Sequence, residues 1–350
     1  MAITLNTVQT YTRTNIMEDV ANMINNVDPT ATPFLSMLRV GSKPKGTYFE
    51  WLQDTHRDGD GNNAQVEGSD AVFRSKGPTT RLGNYTQISH EAVSVSDTSQ
   101  AVQNYGYSKE LTYQVMKSAI GLKKDMETRL IGNYGSSAGT QANYSSGSLA
   151  DGTGSQTAGA VAWITTNVDA EASGANGGFN SATKLVAART LTAQESDDRS
   201  LDEGMFLNLF SKVMENTDTI PKTVFVPIRL KARLSRTFKG VGTIQPSYPI
   251  GRGSAPSTLT AVSSIDFYQT DFGLVSLMWN RYMNTRTVLL LNMKKWEIKY
   301  LIPYRVLPIA RTGESIKRLL TVQYGLCCKH EKSNGLFADI KNEDIVIPTS

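Results

Sequence analysis

Thr47-Tyr48-Phe49-Glu50-Trp51-Leu52-Gln53 reads as the outgoing arm of a long β-hairpin, because aromatic and β-compatible residues dominate it. The return arm is expected from Tyr85 to Ser96, through Ile88, Val93 and Val95. Between the arms lies a polar tip, Asp54 to Thr80, which includes Asp58-Gly59-Asp60-Gly61-Asn62-Asn63. It is far longer than the roughly two to five residues that close an ordinary hairpin. Such an arm cannot bury itself and needs a partner to rest on.

A helix follows directly. Leu111, Val115, Ala119, Leu122, Met126 and Leu130 recur at helical spacing and share one stripe. Ser108 is the expected N-cap and Gly132 the expected stop. About 25 residues at ~1.5 Å each give a spine of roughly 37 Å. Lys117, Lys123, Lys124, Asp125 and Glu127 are expected on the opposite, solvated or intersubunit face.

Moving toward the N-terminus, Asp28-Pro29-Thr30-Ala31-Thr32-Pro33 predicts an extended path, followed by the apolar Phe34-Leu35-Ser36-Met37-Leu38. Before that, Ile16, Val20, Met23 and Ile24 form a short helical stripe in a polar arm. Beyond the spine, 135–199 is rich in Gly, Ser, Ala, Thr and Asn and reads as a loop-rich insertion. Its apolar island, Ala160-Val161-Ala162-Trp163-Ile164, is positioned to anchor it to a core. Ser200 and Glu203 form an expected capping box ahead of Phe206, Phe210 and Val213. Thr223-Val224-Phe225-Val226 predicts a buried strand, and Pro227 opens a helix carrying Ile228, Leu230, Leu234 and Phe238. After a Gly/Pro-rich loop, strands are expected at 264–269, 274–279, 287–291, 296–301, 319–326 and 344–347.

The chain has 350 residues, 39% hydrophobic and 19% charged, with a net charge of +4. This length predicts about two structural units around a sizeable core. So small a charge does not announce a nucleic-acid binder, although Arg229, Lys231, Arg233 and Arg236 crowd one segment and Lys294, Lys295, Lys299, Arg305 and Arg311 another. Cys327 and Cys328 are adjacent and cannot form a loop-closing bridge, which fits synthesis in a reducing compartment, the cytosol. No signal peptide or membrane span is evident, and no membrane partner is expected. Without a secretory signal, Asn84-Tyr85-Thr86 and Asn143-Tyr144-Ser145 read as chance glycosylation matches.

Candidate chemistry is weak throughout. His56, His90 and His330 have no metal-ligand spacing. Cys328 and His330 suggest a nucleophile and base but lack an orienting third group and an oxyanion segment. Asp58, Asp60 and Asn62 space oxygens like part of a calcium loop, yet Ser69 stands where the closing glutamate is needed. No phosphate-binding glycine loop is present. Catalytic, metal and cofactor residues are therefore assigned as none. A non-specific DNA-binding protein is the alternative reading, with a Cys/His enzyme behind it.

Several ordered stretches resemble the major capsid proteins of tailed bacteriophages with the Hong Kong 97-type fold. They are Thr32-Pro33-Phe34-Leu35-Ser36-Met37-Leu38, Glu50-Trp51-Leu52-Gln53-Asp54, Glu67-Gly68, Asn84-Tyr85-Thr86-Gln87-Ile88 and Val93-Ser94-Val95-Ser96-Asp97-Thr98. Further on come Leu122-Lys123-Lys124-Asp125-Met126-Glu127, Thr270-Asp271-Phe272-Gly273, Asn280-Arg281-Tyr282-Met283 and Ala310-Arg311-Thr312-Gly313-Glu314.

The resemblance implies an α+β fold in four parts: an N-terminal arm at 1–45, an extended hairpin loop at 46–100, a peripheral domain at 101–132 and 286–350, and an axial domain at 133–285. It implies pentamers and hexamers of the chain in an icosahedral virion shell, with Glu50, Trp51, Asp54, Arg57, Glu67, Arg74 and Arg81 as candidate intersubunit contacts. A separate scaffolding protein, portal and decoration proteins, and packaged double-stranded DNA held by non-specific contact are the implied partners. No long scaffolding segment precedes the arm, so cleavage of an N-terminal domain is not expected. No Lys, Asn and Glu trio for subunit crosslinking is assigned.

Overall fold

The computed structural model describes residues 31–341, except 72, 75, 103–106, 108, 141–142, 146–147, 151, 171–175, 192–198, 218, 242–265 and 271–272. Two sheets and one long helix organise these residues. The spine helix, Glu110–Ile131, ends at Gly132 as expected, although Gly132 is extended rather than left-handed, and Lys109 occupies the N-cap position. Ser108 and the expected N-terminal arm helix lie outside the described residues, as does 344–347.

A four-stranded sheet lies against the spine, in the order Arg39–Val40, Trp296–Ile309, Ser315–Cys328, Gln87–Ser96. This changes the hairpin. The outgoing arm, Tyr48–Gln53, pairs with Thr80–Tyr85, running from Tyr48↔Tyr85 to Gln53↔Thr80. The expected return arm, Gln87–Ser96, instead pairs antiparallel with Ser315–Cys328, from Tyr324↔Gln87 to Ser315↔Ser96. The reason is its alternation: Val93 and Val95 are buried in the spine core, whereas Ile88 is exposed, which suits a half-covered sheet rather than a free arm.

A six-stranded mixed sheet runs Phe267–Thr270, Gly273–Asn280, Thr223–Pro227, Val288–Leu291, Gly335–Phe337, Val168–Asp169. Its central strands are buried on both faces, so their sequences read as continuous apolar runs. Phe225, Leu289 and Leu291 face the spine core. Val224, Val226, Val288 and Leu290 face a second core, which includes Phe206 and Phe210 of the helix Glu203–Asn216 and Leu230 and Leu234 of the helix Ile228–Val241. The expected capping box is absent. Asp202 is the N-cap, while Ser200 accepts from Arg233 and Glu203 accepts from the Tyr268 hydroxyl. Long-range partners outcompete the local reciprocal pair. Phe238 has no described side chain.

Glu127 is the main correction, since it is fully buried rather than on the solvated face. The buried face of the spine is wider than the apolar stripe and also takes in Ser118 and Ile131. The carboxylate has work there. The short helix Pro33–Met37 has proline at its first position and no side-chain cap from Thr32, so the amides of Phe34 and Leu35 lack partners of their own. The Phe34 amide donates to Glu127 Oε1 at 2.8 Å and the Leu35 amide to Oε2 at 2.7 Å. The Asn280 side-chain amide donates to Oε1 as well. One carboxylate thus joins the N-terminal segment, the spine and the six-stranded sheet. Phe34 completes the junction, meeting Phe225 edge-on at 5.6 Å and Trp296 at 6.4 Å.

Close backbone approach fastens the far end of the spine. A Cβ on Gly159 would lie 2.1 Å from the Gly132 carbonyl oxygen and 2.8 Å from that of Arg129. This is where the island helix Ala160–Trp163 enters the core, fully buried as its composition suggests.

Glu127→Ala leaves three donors without their acceptor and should cost about 3–5 kcal/mol in urea unfolding. Burial pushes the Glu127 carboxyl above its ordinary range, against the pull of Leu35, Phe34 and Asn280. Its favourable contribution is therefore complete below the unfolded value of 4.5 and is lost as pH rises through the raised folded value. Glu127→Gln should flatten the pH dependence of unfolding over that window, and an unchanged profile would remove Glu127 as its source. Gly159→Ala should cost about 1–3 kcal/mol by forcing the island away from the spine.

Candidate functional site

The hairpin is built as a footing and a tip. Within Tyr48–Gln53 the alternation turns Phe49 and Trp51 toward the protein and Glu50 and Leu52 toward solvent. Phe49 lies on the sheet at Gly325, where a Cβ would come 2.5 Å from Phe49 Cε1; glycine there leaves room for the ring. Lys299 reaches over the same ring at 5.3 Å. Trp51 stacks on Phe49 at 5.8 Å and meets Trp163 of the island at 5.4 Å, and Trp163 stacks on Phe179 at 6.1 Å. The insertion therefore props the hairpin.

Asn84 locks the return arm. Its Nδ2 donates to the Leu326 carbonyl at 2.8 Å and to Thr157 Oγ1 at 3.1 Å. Its Oδ1 accepts from the Tyr85 and Ala158 amides at 2.9 and 3.1 Å. Fully buried, Asn84 has no face for a glycan, which agrees with the chance-match reading. Gln323 adds a bond to Thr86 Oγ1 at 2.9 Å. Sequence reasoning missed this network, because a buried asparagine in a polar strand has no local signature.

The tip differs. From Asp54 onward the described residues are exposed through Arg81. Val66 is 80% exposed and Phe73 95%. Their signal was present in the sequence as two large apolar residues within an otherwise polar loop, and neither was among the expected contacts. The seven expected residues fall into three environments. Trp51 belongs to the footing. Glu50 and Arg81 form a solvent-side pair at 3.5 Å, of the kind that contributes about 0–1 kcal/mol. Asp54, Arg57, Glu67 and Arg74 lie on the tip, where Asp54 accepts from the Thr55 amide at 2.9 Å. Arg74 pairs with Asp60 at 2.9 Å and donates to Asn63 at 3.0 Å. Asp60 also accepts from the Asn62 amide at 3.0 Å, so this stretch is a polar turn. No metal-binding group of His, Cys, Asp and Glu occurs among the described residues.

Cys327 and Cys328 are both free and buried. Burial pushes the Cys327 thiol up to about 11 and the Cys328 thiol well above its ordinary value. A nucleophilic thiol needs the opposite shift. Burial also lowers the His330 imidazole. In the basic helix, Lys231 pairs with Asp266 at 2.6 Å, and Arg233 bonds to Ser200 and the Lys341 carbonyl, so these two cations are spent within the protein. No described helix is long and apolar enough to cross a membrane.

The architecture is shared with known shells. A chain of the cyanophage A-1(L) capsid asymmetric unit is similar with a TM-score of 0.64 and 11% identity, over 95% of this chain and 100% of that one. A native GTA particle capsid chain gives 0.58 and 10%, over 93% and 96%. The holo-SrpI encapsulin of Synechococcus elongatus gives 0.53 and 10%, over 95% and 100%. At such identities the likeness concerns the fold, which is α+β and of the Hong Kong 97 type. A major capsid protein of Escherichia phage Phieco32 is 42% identical over 111 residues, 32% of this chain and 31% of that protein, so the match spans about a third of that relative. The sequence profile of the SU10 major capsid protein family matches residues 3–341, and the chain therefore belongs to that family.

Proposed function

We propose that the chain is a structural subunit that assembles with copies of itself into pentamers and hexamers of an icosahedral phage head around double-stranded DNA. The observation that carries this is the rigidly footed hairpin with an exposed tip: Phe73, 95% exposed, projects on a loop that the Asn84 network holds away from the core. A large apolar side chain held out in this way gains about 1.5–3 kcal/mol when a neighbour covers it. Repetition around a closed shell turns such modest contacts into a stable particle. The subunit catalyses nothing in this reading, and the buried, protonated thiols support that.

The four-part division is proposed with adjusted edges. Gln87–Ser96 goes with the spine and its four-stranded sheet. Val288–Leu291 and Gly335–Phe337 go with the six-stranded sheet. A separate scaffolding protein, a portal, decoration proteins and non-specific phosphate contacts to the genome complete the proposed partners, and host cytoplasm is the proposed place of synthesis. DNA contact of this type should weaken steeply with salt.

Because Gln53 and Thr80 are the last paired residues, an Asn-Gly turn can replace 54–79 and still close the hairpin. The shortened chain should unfold at the wild-type temperature yet form no shells by electron microscopy. Phe73→Ser should change subunit stability by less than about 0.5 kcal/mol while weakening assembly. Normal shells from the shortened chain would overturn the role given to the tip, and a wild-type chain that stays monomeric even with its scaffold would overturn the shell reading.

A further inference from the structure

We propose that the groove between the spine and the open edge of the four-stranded sheet binds a linear polyamine, with one terminal ammonium at Glu110 and the other at Glu91. Gln87–Ser96 is the last strand of its sheet, so no described strand pairs with its far edge. Between that strand and the spine lies a groove of about 460 Å³, lined by Glu91, Ser94 and Ser96 of the strand and by Glu110, Gln114 and Ser118 of the spine. No lysine or arginine is among its lining residues. Glu110, Gln114 and Ser118 form one row because they recur at every fourth helical position. Glu91 meets the same row further along, where its Oε2 lies 3.2 Å from the place a Cβ would take on Gly121.

Ser118 marks the groove as more than a solvated surface. It is only 8% exposed, yet it lines the groove and its hydroxyl has no hydrogen-bond partner. The Gln114 amide is spent on Glu110 Oε1 at 2.6 Å, which leaves its carbonyl as an acceptor. Bonds from Tyr107 and Gln114 hold the Glu110 carboxyl below its ordinary range, so it is ionised at neutral pH. At the other end, burial and then the Glu91 charge push the Asp125 carboxyl up, as befits two carboxylates with no cation between them. Spacing decides the ligand. Glu110 and Gly121 are eleven residues apart on the spine, a rise of about 16 Å. One metal ion, whose ligands lie within about 2.6 Å, cannot bridge that gap. An extended chain of spermine's length, with thirteen bonds each advancing about 1.25 Å, spans roughly the same 16 Å. Its terminal ammoniums meet the carboxylates, and its inner ones meet the Ser118 hydroxyl and the Gln114 carbonyl. A diamine such as putrescine, about 6 Å long, reaches only one end.

The test uses the purified, unassembled full chain, so its outcome does not depend on whether shells form. Spermine should raise the unfolding temperature, whereas putrescine and magnesium chloride at matched ionic strength should raise it no further than sodium chloride does. Glu91→Gln combined with Glu110→Gln should weaken spermine binding about tenfold or more by calorimetry. Ser118→Ala keeps both charges and should weaken binding by a smaller factor. Glu110→Gln alone, in the first turn of the spine, serves where the pair prevents folding, as judged by thermal unfolding without ligand. Replacing 54–79 by Asn-Gly removes the acidic tip and should leave spermine binding unchanged. Equal stabilisation by magnesium at matched ionic strength overturns the proposal, since it reports diffuse screening. So does wild-type affinity in the carboxamide variants, or loss of binding with the tip, which would move the site there.

Discussion

One buried carboxylate sets the terms for the whole subunit. Glu127 accepts from the first two amides of the short helix Pro33–Met37 and from Asn280, so the spine, the N-terminal segment and the six-stranded sheet are fixed relative to one another by bonds to two oxygen atoms. Burying a carboxyl group is costly, and the three donors that meet Glu127 offset part of that cost. The aromatic groups around the junction, Phe34, Phe225 and Trp296, contribute apolar burial but little direction. Glu127 supplies the geometry that dispersion alone does not specify.

How much of this was legible in the sequence depended on the range of the interaction. The spine stripe, the outgoing arm, the buried strand Thr223–Pro227 and the anchoring island all declare themselves through local periodicity or composition. The return arm was misplaced because Thr80-Arg81-Leu82-Gly83-Asn84-Tyr85 is polar and carries a glycine, whereas Gln87–Ser96 alternates cleanly. A clean alternation says that a strand is half-buried without saying what it pairs with. The capping box failed for a related reason, since Arg233 and Tyr268 reach Ser200 and Glu203 from elsewhere in the chain. Glu127 and Asn84 were illegible because a lone polar residue acquires its role only once distant segments have arrived. Of the candidate contacts, charge drew attention to Arg57 and Glu67, while the two most exposed apolar side chains of the tip passed unnoticed.

The architecture separates rigidity from recognition. Sheets buried on one or both faces, joined by glycine-mediated approaches at Gly159 and Gly325, leave the base of the hairpin little freedom. Among its described residues the tip is held by local turns and by Arg74, which bonds to both Asp60 and Asn63. Changes in the tip therefore leave the core untouched, and changes in the core need not alter what the tip can touch.

The adjacent cysteines show a quieter consequence of the same tight packing. Both side chains are enclosed at the end of the strand Ser315–Cys328, and their thiols are held in the protonated form. Thiol chemistry needs a thiolate and an approaching reagent, and this site offers neither. Passage from reducing to oxidising surroundings thus leaves these two thiols as they are while the subunit stays folded, and the packing at this end of the strand is indifferent to the redox state outside.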